Sequence, residues 1–191
     1  MGWILPVLLG VGLSAATGIR IFLPFFIISL CSYFDLLSFG DQFAWLDNPY
    51  VVMALGVATA VEIAGYYIPL VDHILDIIAT PMAFIAGIIS MSSALPDMPM
   101  YFDNLLSLIV GGGTAVSING MMGLWRVKTT ASLFGFANPA FSTIENILSS
   151  LFTVLSFLIP VAFGIFILFI VFASMRFVRR LFRSGLTTRL I

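Results

Sequence analysis

The chain has 191 residues, 61% of them hydrophobic and only 9% charged, with a mean hydropathy of +1.15 and a formal net charge of −1. A soluble domain carries about 25% charged residues, so an ordinary water-exposed fold is excluded, and lipid or other apolar helices must surround most side chains. One cysteine, Cys31, and one histidine, His73, exclude an internal disulfide, a cysteine-based metal cluster and a multi-histidine site.

A spanning helix needs about 20 mostly apolar residues. The first apolar run, Trp3 to Phe34, would measure roughly 48 Å as one helix, too long for a single straight span. Its middle reads Gly12-Leu-Ser-Ala-Ala-Thr-Gly18-Ile-Arg20, with Pro24 beyond. The run is therefore expected either to be a broken or strongly tilted helix or to form a re-entrant half-helix followed by a full span. It lacks the basic n-region of a signal peptide, so it is expected to be retained. Gly10, Ser14 and Gly18 fall four apart and form a small-residue face that admits another helix closely.

Ser38 to Asn48 reads as a polar loop containing Asp41 and Asp47. Pro49 opens a second span, which carries Glu62 and ends at Ile68-Pro69. A third span begins near Asp72 or Asp76 and runs to about Met91, with Pro81 an expected kink. After a loop with Pro96, Asp97, Pro99 and Asp103, the fourth span covers Leu105 to Trp125 and the polar stretch Arg126 to Asn138 follows. Pro139 opens the fifth span, and Pro160 opens a sixth over Val161 to Met175, which is apolar all round and expected to face lipid over much of its girth. Arg176, Arg179, Arg180, Arg183 and Arg189 form a basic tail.

Lysine and arginine mark the cytoplasmic side of a membrane protein. The loops after the first and third spans hold only aspartates, whereas Arg126, Lys128 and the tail carry the basic residues. Six spans then place both termini in the cytoplasm. A weak internal repeat fits this count: Gly12, Ala16, Ile19 and Arg20 align with Gly111, Ala115, Ile118 and Asn119, Asn48-Pro49 with Asn138-Pro139, and Ile68-Pro69 with Ile159-Pro160. Halves of about 1–95 and 101–191 with three spans each must be inverted relative to one another, the arrangement found in many transporters. The expected fold is an all-α integral membrane bundle of six spans in a single transmembrane domain.

An ionised carboxylate at the bilayer centre costs about 2.5–3.5 kcal/mol on insertion scales, so it rarely sits there without a partner or a task. On this topology Glu62 and Glu145 lie roughly 10 Å from the cytoplasmic ends of their spans, Asn119 lies near the inner end of the fourth, and Asp72 and Asp76 share one helical face at the entrance to the third. Ser142, Glu145, Ser149, Thr153 and Ser156 form a polar stripe that must face the bundle interior or water. Arg20 is expected to pair with Glu62 or Glu145, or to contact an anion. The aspartates either cap the third span through the helix dipole or form a cation site, with Asp72, His73 and Asp76 a candidate metal set.

The series Gly12-Leu-Ser-Ala-Ala-Thr-Gly-Ile-Arg20 with Phe22-Leu-Pro24, then Glu62, Ile68-Pro69, Asp72 and Asp76, then Thr129-Thr130, Asn138-Pro139 and Glu145, resembles the bacterial integral-membrane family catalogued as domain of unknown function 4126. The resemblance implies a compact multi-span inner-membrane protein and carries no activity with it. Members of that family often have a basic residue after the Glu62 segment, where this chain has Tyr66-Tyr67.

The residues favour a small secondary transporter or ion-conducting protein, proton- or cation-coupled, whose site is built by Arg20, Glu62, Asp72, Asp76, Asn119 and Glu145. Its partners would be the bilayer, a small ion or solute, and a second copy or another membrane protein; neither a cofactor nor nucleic acid is expected. The alternatives are a non-catalytic assembly subunit and, with less support, an intramembrane lipid-modifying enzyme, since the chain has no Gly-x-Ser-x-Gly elbow.

Overall fold

The computed structural model describes the backbone of residues 2–36, 41–133 and 138–187, and the side chains of these except 41–42, 69–70, 73, 127–133, 138–139 and 177–187. All regular structure among the described residues is helical: α1 (Ile4–Ile19), α2 (Phe22–Tyr33), a 3₁₀ turn (Asp41–Asp47), α3 (Pro49–Tyr66), α4 (Pro69–Ala94), α5 (Met100–Leu106), a π-helical segment (Ser107–Gly112), α6 (Gly113–Leu133), α7 (Asn138–Leu158) and α8 (Pro160–Thr187). Four stretches are long and apolar enough to cross a membrane: Pro49–Tyr66, Ile74–Ala94, Met100–Arg126 and Ala140–Leu158. The chain is thus a helical membrane protein. Ile4–Ile19, Phe22–Tyr33 and Pro160–Arg176 are apolar but shorter.

The first apolar run is two helices. Arg20 is extended (φ −134°, ψ 134°), because the ring of Pro24 would collide with its carbonyl in a continuing helix. Pro24 itself fits the first turn of α2, where no intrahelical N–H bond is needed. Two residues past the end of α2, Asp35 has a φ of 54°, the left-handed conformation that closes helices and that Asp tolerates. Pro49 starts α3 behind Asn48, whose side chain accepts the N–H of Tyr50 at 2.9 Å.

Three expected boundaries move. α4 starts at Pro69, directly after α3, so Asp72 lies in its first turn, and the helix runs on through Pro81. The fourth span begins at Met100 and carries a π segment at Ser107–Gly112. α6 continues past Trp125 into what reads as a polar loop, so Arg126 belongs to the helix.

α1 is the axis of the bundle, buried from Val11 through Ile19 and packed against α4, α6, α7 and α8. One face joins Val11, Ala15 and Ile19 to Ile118 of α6 and to Phe163, Ile167 and Val171 of α8. That stripe of α8 turns inward while Ile165, Phe166, Phe169 and Phe172 stay exposed. The other face brings Leu13 to Phe25, Ile28, Phe43, Leu46 and Ala86. Such proximity depends on missing side chains. A Cβ on Gly18 would lie 2.5 Å from the Ala115 carbonyl oxygen, and one on Gly87 would lie 2.6 Å from that of Gly111. Ser14 completes the small-residue face by donating to the Gly87 carbonyl at 3.0 Å. The polar stripe of α7 zips the same axis from the other side: Ser142, Ser149, Thr153 and Ser156 are buried, and Ser149 donates to the Ala16 carbonyl at 3.1 Å.

Candidate functional site

The break between α1 and α2, the end of α3, the start of α4, the end of the apolar part of α6 and the start of α7 meet at one end of the bundle. Each brings a polar side chain that its apolar neighbours cannot solvate. At the centre is Arg126. Its Nε donates to Oε1 of Glu145 at 2.9 Å and its Nη2 to Oε2 of the same carboxylate, a bidentate pair. Its Nη1 reaches Asp72 and Asp76, each at 2.8 Å. One guanidinium therefore ties α6 to both α4 and α7. Glu145 also takes Nη2 of Arg20 at 3.0 Å, and that nitrogen donates to the Ser142 carbonyl at 3.2 Å.

Burial differs along this network. The side chains of Arg20, Glu145 and Asp72 are 0%, 2% and 5% exposed, whereas Asp76 is 42% exposed and so is the network's door to solvent. The ring of Tyr66 lies between the two cations, 3.9 Å from Arg20 and 4.3 Å from Arg126. Aromatic faces attract guanidinium groups most strongly where water is excluded. Where the family resemblance implies a basic residue, this chain thus holds a ring that receives two.

Glu62 is buried at 6% exposure but bonds differently. Its two oxygens accept the backbone N–H groups of Ile21 (2.7 Å) and Phe22 (3.0 Å). It caps the N-terminus of α2, whose first amides have no intrahelical partner. Arg20 keeps Nε and Nη1 without a partner among the described residues.

A cavity of about 230 Å³ adjoins the network, lined by Asp76, Thr80, Asn119, Arg126, Glu145 and Tyr66 among others. Asn119 sits there with its side-chain oxygen accepting from Thr80 at 3.0 Å. A second, apolar cleft of about 660 Å³ opens between α2, α3 and α4, with Ile21, Phe22, Glu62 and Tyr66 at its polar end. Tyr66 lines both.

Of the six residues expected to build a site, Arg20, Asp72, Asp76 and Glu145 share one ion-pair network, Asn119 faces the cavity beside it, and Glu62 stands apart on the α2 amides. Between the two expected pairings of Arg20, the ion pair is with Glu145. The side chain of His73 lies outside the described residues, as do those of Lys128, Thr129, Thr130, Asn138, Pro139, Arg179, Arg180, Arg183 and Arg189. Among the described residues, no three His, Cys, Asp or Glu side chains come together as a metal-binding set.

Arg126 and Tyr66 are the residues sequence reasoning passed over. Both had a signal. Arg126 is seven residues after Asn119 and Tyr66 four after Glu62, so each lies on the face of a residue already singled out.

Buried ion pairs at one mouth of a helical membrane bundle define a membrane protein with an internal charged site. The model for the family Domain of unknown function (DUF4126) matches residues 7–180, and the chain belongs to that family. Comparison with curated proteins and with solved structures finds no match.

Proposed function

We propose that the protein is a small secondary transporter or ion-conducting protein of the bacterial inner membrane, coupled to protons or cations. In this reading α1 and α2 make up the first of six spans and α8 the last, in two inverted halves, with both termini and the charged network on the cytoplasmic side. The observation that carries it is the network's charge. Asp72, Asp76 and Glu145 face two guanidiniums, so one negative charge is unmatched when all are ionised, beside a cavity large enough for a small hydrated ion. Bound protons or a cation supply what is missing. Arg126 acts as a tethered cation that a permeating one displaces from Asp76 first, because that carboxylate is the most exposed. Flux of protons and alkali cations into proteoliposomes tests this: Glu62→Gln and Glu145→Gln are each expected to lower flux at least about tenfold, and unchanged flux in both removes the mechanism.

A second reading, an assembly subunit, is favoured by the outer face of α6. There a Cβ on Gly113 or Gly120 would meet nothing within 4 Å. With Ser174 and Met175 of α8, Gly120 lines a groove of about 540 Å³, a shape suited to a partner helix. Stoichiometric copurification with a membrane partner, lost on Gly120→Leu and with no flux in any variant, would favour this reading.

A further inference from the structure

Asp72, Asp76 and Glu145 each meet a guanidinium, whereas Glu62 has no basic nitrogen within 4 Å among the described residues. Its hydrogen bonds come from two backbone amides, which aim dipoles at it but carry no net charge. Each oxygen of a carboxylate has two lone pairs, so one on each remains for a further partner. A charge buried in this way calls for an opposite one. Glu62 stands at the polar end of the apolar cleft of about 660 Å³, a size within the range of about 300–1,000 Å³ found for small-molecule sites. The cleft follows α3 from Tyr66 back to Met53, about 20 Å of helix, and Leu75, Ile78 and Met82 of α4 form its other wall.

An occupant that complements this shape needs one positive charge at the Glu62 end and an apolar body along the rest. A compact, strongly hydrated cation fits poorly, because the hydrocarbon walls replace none of its water. An ion whose charge is spread under an apolar or aromatic shell loses far less on entering. Phe22 adds an aromatic ring to the charged end, and such rings attract cations. Met53 and Met82 supply flexible, polarisable walls that adapt to different shapes. A phospholipid matches the apolar part alone, since its phosphate would bring a second negative charge to the carboxylate. The charged and titratable groups at this end of the bundle are Arg20 at the α1–α2 junction, Tyr66 and Tyr67 after Glu62, Asp72 and Asp76 of α4, Arg126 of α6 and Glu145 of α7. The other three carboxylates are paired with the two guanidiniums; the side chains of His73 and Lys128 lie outside the described residues.

We propose that the cleft between α2, α3 and α4 binds a monovalent lipophilic organic cation, its charged centre against the Glu62 carboxylate and its apolar body between α3 and α4. Glu62 holds either this cation or a proton. Binding therefore releases the proton to solution, and the charge of the site is the same in both states. Carriage of the cation across the membrane in exchange for protons rests on the transporter reading above; its binding does not.

The test is tetraphenylphosphonium binding to the purified full-length protein in detergent, by titration calorimetry against empty micelles. Tetraphenylborate, of the same shape and opposite charge, is titrated beside it. One phosphonium is expected per chain, with the borate at least about tenfold weaker. The phosphonium affinity falls about tenfold for each pH unit below the titration of Glu62, since only the ionised fraction is competent. Glu62→Gln lowers the affinity at least about tenfold and abolishes its pH dependence. Ala58→Trp fills the cleft while leaving the carboxylate in place, and it lowers the affinity as far; with the borate comparison it decides the matter if the glutamine variant does not fold. Equal binding of the two tetraphenyl ions would make the cleft a seat for any apolar body, a lipid tail included, and overturns the proposal. Wild-type affinity in either variant overturns it too. Absent phosphonium binding in a protein that still carries protons or alkali cations into proteoliposomes removes this inference alone. Binding as expected with no flux of protons or of phosphonium leaves the cation site standing and removes the transporter reading instead.

Discussion

At the scale of single residues, Arg126 decides more than any other side chain. It neutralises parts of three carboxylates contributed by two other helices, and removing it leaves Asp72 and Glu145 buried with one fewer cation between them. Breaking a buried pair by deleting one partner costs about 3–5 kcal/mol, so Arg126→Ala is expected to lower the unfolding free energy by that much in a detergent unfolding titration. Asp76→Asn touches the same guanidinium but at a carboxylate 42% exposed to solvent. Exposed pairs contribute about 0–1 kcal/mol, and a loss within that range is expected in the same titration. Equal losses for the two variants would mean that burial does not rank these contacts. The importance of Glu145 and Arg20 is legible in the sequence, because a charge inside an apolar run must be matched. Their partner Arg126 reads instead as a marker of the cytoplasmic loop, since a basic residue at a span's end has an ordinary explanation in topology. Which of two available carboxylates Arg20 takes depends on the direction α2 leaves α1, and no residue type encodes that alone.

At the scale of elements, the glycines divide into two sets that composition cannot separate. Gly87 and Gly111 stand where α4 and the π segment touch backbone to backbone, and a Cβ on either would meet the other's carbonyl oxygen within 2.6 Å. Backbone cannot step aside as a flexible side chain does, so Gly111→Ala is expected to destabilise by about 1–3 kcal/mol through overpacking. Gly120→Ala, with open space around its Cβ, is expected to stay within about 0.5 kcal/mol. Thermal unfolding of the two single variants in one detergent checks the contrast. The spacing of Gly10, Ser14 and Gly18 announces a packing face, and the structure packs α4 and α6 onto it. The same spacing logic finds the buried stripe of α7 from Ser142 to Ser156. It misses the early start of α4 and the continuation of α6, because polar residues near a span's end suit a loop and a helix equally.

At the scale of the whole molecule, the six-span reading sets the acidic loops and the basic tail on opposite faces of the membrane. In a chain with Cys31 replaced by alanine, a single cysteine at Asp97 is expected to react with an impermeant maleimide in intact spheroplasts, and one at Arg176 only after the membrane is permeabilised. Labelling of both from one side would overturn the inverted halves and the cytoplasmic assignment of the network together. What the sequence determined by itself is the solvent, the helical class and the segments: hydropathy, prolines and small-residue spacing are local properties, and a chain 61% hydrophobic has few other ways to satisfy its backbone in lipid. What only the tertiary structure decided is which charges meet. Asp72 and Arg126 are 54 residues apart in the chain, and Ile21 and Glu62 are 41 apart. A charge buried in hydrocarbon demands a partner but does not specify one; the partner is set by which helix ends the packing around α1 brings to the same mouth.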